Sequence, residues 1–246
     1  MSIAEKFEVI ADSVYDKGKQ DEWSDFWDVY QKEGIRTNYG GAFGIYTSDH
    51  VTYWNDEIYK PKYDMKPKIL DRAYRGAKIT DFKAIHESLR TMFDTSECTN
   101  FAFAFADSTI THIPELSCVS AYDLNYSFSV ASKLHTIDKI IVKDNGTNVF
   151  TSTFNKAYAL ENVRFEGAIG NSISFSDCSL LSADSLVDII KHLVDFSGTP
   201  NAGTRILSIH ATAWENLNGT YTTPEEVGIP FFGSWLSYLE SIGWDM

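Results

Sequence analysis

The chain has 246 residues, of which 43% are hydrophobic and 14% aromatic, and its 34 acidic and 21 basic side chains leave a net charge of −13. Such a length and composition predict a globular chain with one large domain or two small ones. The excess of acids disfavours nucleic acid and anionic membranes as partners, and the sequence contains no run of 18 apolar residues, so membrane insertion is not expected.

Residues 1–35 are predicted to form a helical assembly segment. One helix carries apolar residues at the a and d positions of two heptads, and a second carries an aromatic stripe that ends near Gly34. Helices this short are marginal in water, so an assembly would need a further contact. Two interpretations remain open: a cap on the chain's own first repeat, or self-association, with a trimer favoured over a dimer. The residues concerned are Ile3, Phe7, Ile10, Val14, Trp23, Phe26, Trp27 and Tyr30.

Residues 36–72 are predicted to form an extended wrapping segment. Pro61 and Pro67 disfavour helix at the residues before them, and Gly40-Gly41 interrupts any regular pattern. We expect this segment to run along the edge of the following repeats. Its tyrosines are also compatible with a contact surface.

Residues 73–181 contain an irregular internal repeat. Aromatic residues recur from Tyr74 to Phe175, and in the first four units an aliphatic residue follows five or six positions later, with an apolar residue three positions further on. A unit of about 23 residues cannot bury its own apolar face, so such units are expected to stack as a solenoid with one short strand each. From about Tyr74 to Leu180 we expect these strands to form one parallel sheet, with Phe105, Phe128 and Phe154 buried one above another. The predicted core comprises Tyr74, Phe105, Ile110, Ile113, Phe128, Leu134, Ile137, Phe154, Leu160, Val163 and Phe175.

Residues 182–246 are predicted to close the open end of the stack as a C-terminal cap. Ser182 is a plausible N-cap for a helix through Leu186 and Leu193, with Gly198 as its stop signal. The alternation in RILSIHA, residues 205–211, predicts a last strand.

Several stretches resemble the BspA-type leucine-rich-repeat proteins encoded in phages and prophages of Gram-positive bacteria. They include FWDVYQKEG at 26–34, TIDKIIVKDNGTNVFTSTF at 136–154 and ENVRFEGAIGNSISF at 161–175. The resemblance covers most of the chain, although the C-terminal tail is longer and more aromatic than the family pattern. It implies an α/β solenoid, namely a short leucine-rich-repeat stack with N-terminal helices and a C-terminal helix and strand cap.

Motifs that carry chemistry are scarce. The sequence lacks the P-loop, dinucleotide-binding, H-E-x-x-H and G-x-S-x-G patterns, so no catalytic residue or cofactor is predicted. His112 and His135 each follow a repeat aromatic by seven residues, and equivalent residues would lie about 4.8 Å apart across the stack. A repeat ladder explains the pair as well as a shared metal does, and no metal site is predicted. Cys98, Cys118 and Cys178 are expected to be reduced, buried thiols.

The resemblance, together with the capped repeat stack, implies a non-enzymatic virion protein in a fibre, baseplate or head-decoration position. Its expected partners are itself, other virion proteins and a host-surface receptor or another protein. The N-terminus has no Sec-type signal pattern, which predicts synthesis in the host cytoplasm, and the resemblance implies location in the virion. A bacterial surface adhesin, an interaction protein inside the cell and a wall-degrading enzyme of the virion are the alternatives.

Overall fold

A computed structural model describes residues 67–77, 80–81, 93–199 and 205–246. The predicted wrapping segment lies outside these ranges up to residue 66. All eight residues of the predicted assembly segment also lie outside them: Ile3, Phe7, Ile10, Val14, Trp23, Phe26, Trp27 and Tyr30.

Each of the first repeats contains a run of tandem turns around its aromatic residue. In the repeat of Phe105, the backbone N–H groups of Ala104 and Ala106 bond carbonyl groups three residues earlier, whereas those of Phe103, Phe105 and Asp107 bond carbonyl groups of the following repeat. Alternate N–H groups therefore close turns and join repeats, so the buried backbone is paired without regular strands. Residues 67–72, which the sequence assigns to the wrapping segment, already take part in this bonding through Leu70 and Asn100.

The repeat aromatics form one continuous stack of rings inside the molecule. The ring centroids of Tyr74 and Phe105 lie 5.2 Å apart, and those of Phe105 and Phe128 lie 5.6 Å apart. Phe154 continues the stack at 5.5 Å from Phe128, and Phe175 follows at 4.6 Å. The rings expected to lie one above another do so, and each is at most 1% exposed. Small residues directly before the rings, such as Ala73 and Ala104, leave room for them.

Short strands on another side of the repeats form a four-stranded parallel sheet. They are β1 His112–Ile113, β2 Leu116–Ser117, β3 Thr136–Ile141 and β4 Asn162–Glu166. β3 pairs with the other three, so Ile113, Ile137 and Val163 are aligned across β1, β3 and β4. These three side chains are buried, because strands alternate their side chains and this alternation turns one set inwards. Between Ile137 and Ile140, β3 carries an extra residue relative to β4.

The last repeat does not extend this sheet. Its strand β5, Ile173–Phe175, pairs in parallel with β6, Leu207–Ile209, in a separate two-stranded sheet. The expectation of one sheet up to Leu180 is therefore wrong. The helix Ala183–Lys191 explains the break, because it lies along the free edge of β4, where Val163 and Phe165 donate their N–H groups to Ser185 and Asp188 of that helix.

Helices cover this end of the described chain. They are α1 Ala183–Lys191, α2 Ala211–Thr220, a 3₁₀ turn Pro224–Val227 and α3 Trp235–Ser241. The predicted N-cap is confirmed, since Ser182 Oγ accepts the N–H of Ser185. The helix ends at Lys191, before the predicted Leu193 and Gly198, because Leu193 pairs with Ile169 in a parallel bridge.

Two tryptophans complete the packing of the cap. Trp235 and Trp244 are fully buried, and their indole N–H groups donate to the carbonyl oxygens of Tyr221 and Val194. Both rings therefore contribute apolar surface without an unpaired donor. None of the helices in the described ranges has the length and apolarity needed to cross a membrane.

Candidate functional site

The outward side chains of the strands form a charged strand face, defined by Asp81, His112, Glu115, Asp138, Lys139, Glu161 and Glu166. His112 on β1 lies between carboxylates of two other repeats. Its Nε2 atom is 2.8 Å from Asp138 Oδ1, and its Nδ1 atom is 3.8 Å from Asp81 Oδ1. Parallel pairing produces this arrangement, because Asp81 forms a bridge with His112 and His112 is in register with Thr136, two residues before Asp138.

Lys139 makes the second group of ion pairs on the strand face. Its Nζ atom is 3.0 Å from Glu115 and 2.9 Å from Glu166, so one ammonium joins acids of the preceding and the following segment. The hydrogen bonds that Lys139 donates to Glu166 and then to Glu115 raise the pKa of Lys139. Exposed pairs of this kind contribute little to stability individually. Their regular placement instead determines the charge pattern that a partner would meet.

The predicted pairing of His112 with His135 is wrong. His112 is in register with Thr136, and His135 contacts Glu161 of the next repeat at 3.2 Å. The segment after Phe128 contains one more residue before its strand than the segment after Phe105, so equal spacing from the aromatic does not produce equal height in the stack. Within the described residues, no group of three or more His, Cys, Asp or Glu side chains could hold a metal ion.

The strand face places both ring nitrogens of His112 against carboxylates, with Asp138 at 2.8 Å and Asp81 at 3.8 Å. The three thiols are buried. Burial raises the pKa of Cys98 and of Cys178 to about 12, and burial, followed by the nearby Cys98, raises the pKa of Cys118. A buried thiol that resists ionisation is a poor nucleophile.

Sequence reasoning missed a second surface, on the turns. The rings of Phe103 and Tyr126 stack there at 4.7 Å with an interplanar angle of 3°. The guanidinium groups of Arg72 and Arg75 lie over Phe103 at 5.0 and 5.3 Å. We call these four residues the arginine–aromatic column. The sequence contains a signal for this surface, since Arg72, Phe103 and Tyr126 each stand two residues before a core aromatic residue.

The other residues singled out from the sequence belong to the scaffold. All eleven predicted core residues are buried: Tyr74, Phe105, Ile110, Ile113, Phe128, Leu134, Ile137, Phe154, Leu160, Val163 and Phe175. They hold the strand face and the turns in place but do not reach solvent.

Comparisons with protein-family models, with curated proteins and with solved structures gave no match to this chain.

Proposed function

We propose that this chain is a non-enzymatic structural protein of a phage particle, in a fibre, baseplate or head-decoration position. Its repeats are a short leucine-rich-repeat solenoid of the BspA type that presents side chains to a partner. Self-association through residues 1–35 joins copies, with a trimer favoured. The partners are other virion proteins and a protein or glycan on the host surface.

The observation that carries the proposal is the alignment of surface side chains in columns on a continuous core. Asp81, His112 and Asp138 come from three successive repeats and meet within hydrogen-bonding or ion-pairing distance. A repeat stack holds such columns rigidly, because each repeat rests on its neighbours along one hydrophobic core. Rigid surfaces lose little conformational entropy on binding, which suits a component that presents a contact surface.

Mass spectrometry and electron microscopy of purified phage particles test the location. We expect peptides of this chain in particles purified on a density gradient, at a constant ratio to the major capsid protein across the particle peak. We also expect density into which residues 93–199 fit. Absence from the particles, with abundance in the lysate of the same culture, would reject the virion proposal.

A protein-interaction module inside the cell is the second candidate, and the strand face favours it. The face combines several acids with Lys139 and His112 in a fixed pattern, which suits recognition of a charged protein surface. Affinity capture from infected cells with the full-length chain tests this candidate. A Lys139→Glu variant serves as the comparison, because it reverses the central charge of the strand face at a half-buried position. Specific capture of a host protein that the variant loses would favour the interaction module.

A further inference from the structure

The arginine–aromatic column is a surface feature that the core does not require. Phe103 and Tyr126 lie outside the central ring stack, at positions where the backbone has φ of 54° and 57°. A left-handed conformation costs a residue with a side chain roughly 1 to 2 kcal/mol, and glycine avoids that cost. Large aromatic rings at these positions therefore add exposed contact area, and Tyr126 remains 36% exposed after stacking on Phe103.

The composition of the column is that of a protein contact. Aromatic residues and arginine dominate the energetics of protein interfaces, since they bury large areas and stack or hydrogen-bond at the same time. Both arginines have a carboxylate partner, and their side chains remain 38% and 36% exposed. Arg72 bonds Asp71 at 2.7 Å, and Arg75 lies 3.5 Å from Asp107, in a pair whose side chains are 36% and 45% exposed.

Charge separates this surface from the strand face. The turns carry Arg72, Arg75 and the exposed Lys156 against Asp71, Asp107, Asp123 and Asp177, an excess of one acid. The strand face carries five acids against Lys139 and the exposed Arg164 of β4, an excess of three. On a chain with a net charge of −13, an acidic ligand is repelled less by the turns than by the strands. Aromatic side chains of such a ligand would also stack on the ring faces and guanidinium groups of the turns.

The chain itself contains a matching segment. Residues 21–30, DEWSDFWDVY, hold four acids and four aromatic residues and no base. Residues 31–66 separate this segment from Pro67, and a chain of that length spans on the order of 100 Å when extended. The segment can therefore reach the column of an adjacent copy.

We propose that residues 21–30 of one copy dock on the arginine–aromatic column of a second copy. This inference rests on the proposed self-association and identifies the surface on which residues 21–30 bind. Two heptads are too short to hold copies together alone, and this contact supplies the additional binding energy. A closed ring in which each copy gives and receives one segment satisfies every contact.

Photocrosslinking of the full-length chain tests the docking. Tyr126→p-benzoylphenylalanine places the probe in the column, and Tyr158→p-benzoylphenylalanine is the matched control, since Tyr158 is 51% exposed but lies elsewhere in its repeat. Isotopically heavy and light copies are mixed in equal amounts, and the mixture is then unfolded and refolded. We expect crosslinks from position 126 to residues 21–30, with mixed heavy and light pairs, and none to that segment from position 158.

Crosslinks from position 126 only within one copy, only to other segments, or not at all would overturn the proposal.

A charge exchange provides a second readout that does not need the probe. The double change Asp25→Arg with Asp28→Arg should weaken association, raising the concentration at which copies dissociate by tenfold or more. Addition of Arg72→Glu to these two changes should restore part of the lost affinity. An unchanged dissociation concentration would also overturn the proposal. Detection of the chain in phage particles is independent of both results, so failure of the docking and failure of the virion role are distinguishable.

Discussion

Left-handed backbone positions are the most distinctive feature at the residue scale. Seven residues other than glycine have positive φ in the described ranges, and they lie two residues before or two residues after a repeat aromatic. Gly76 occupies such a position in the first repeat, and Val130 occupies the equivalent position two repeats later, with φ of 60°. A β-branched side chain is unfavourable there, so the tandem turns and not the local sequence impose this conformation.

Val130→Gly should therefore stabilise the protein. Relief of the left-handed conformation favours the variant by about 1 to 2 kcal/mol, and the greater entropy of the unfolded chain offsets part of this gain. Val149→Gly is the matched control, because the two valines are 38% and 39% exposed and Val149 does not have positive φ. Urea denaturation should show a higher free energy of unfolding for the first variant and a lower one for the second. A loss of stability in both would contradict the interpretation.

The three thiols should resist modification in the folded protein. Burial raises the pKa of Cys98 and Cys178 to about 12, above the value of about 8.5 for an exposed thiol. An aromatic disulfide reagent at pH 8 should react slowly with native protein and rapidly with three thiols after denaturation in guanidinium. Fast reaction of a native thiol would show that its site opens.

The same pKa values determine how stability depends on pH. A thiol with a raised pKa contributes its full stabilisation below the pKa of the unfolded chain and loses it as the pH rises towards the folded pKa. The free energy of unfolding should therefore fall between about pH 8.5 and pH 12. Replacement of Cys178 by Ala should reduce the slope of that decline, and an identical slope would argue against a thiol contribution.

At the scale of elements, the ring stack joins the repeats. Phe128 lies between Phe105 and Phe154 and is 1% exposed. Phe128→Ala should lower the free energy of unfolding by about 3 to 5 kcal/mol, because the variant leaves a cavity between two rings. Phe232→Ala is the control, since Phe232 is 84% exposed, and it should change stability by less than about 0.5 kcal/mol. Equal effects of the two changes in chemical denaturation would contradict a continuous core.

Close approach of the repeats places glycines under a second constraint. Gly167 has φ of 91°, and an added Cβ would collide with the carbonyl oxygen of Val142 in the preceding repeat. Gly167→Ala should cost about 1 to 3 kcal/mol from backbone strain, with the collision in addition. Gly198→Ala serves as the control, because an added Cβ there meets nothing within 4 Å. Thermal unfolding should separate the variants clearly, and a Gly167→Ala protein as stable as the control would show that the repeats can move apart.

At the scale of the whole molecule, the proposed self-association rests on residues 1–35, which lie outside the described residues. Deletion of residues 1–33 should leave a folded, monomeric repeat stack that no longer enters phage particles. Light scattering and circular dichroism measure the two properties. A full-length chain that is monomeric at micromolar concentration would contradict the assembly role of the N-terminal segment.

The sequence by itself determined which residues are interior. The aromatic residue of each repeat and the aliphatic residues after it must leave water, and their spacing identified the rings that stack. The Ser182 cap was also predictable, because its hydrogen bond is local. These features depend on short stretches of chain, whose chemistry is visible in a single repeat.

Tertiary structure alone decided the register between repeats and the surfaces that follow from it. Unequal repeat lengths place His112 opposite Thr136, and pairing of Leu193 with Ile169 ends α1 early. The arginine–aromatic column likewise requires Arg72, Phe103 and Tyr126 to occupy equivalent positions in three successive repeats, so that they lie next to one another. The physical reason is that hydrogen bonds between repeats join residues more than 20 positions apart, and composition and periodicity do not specify which carbonyl each N–H group meets.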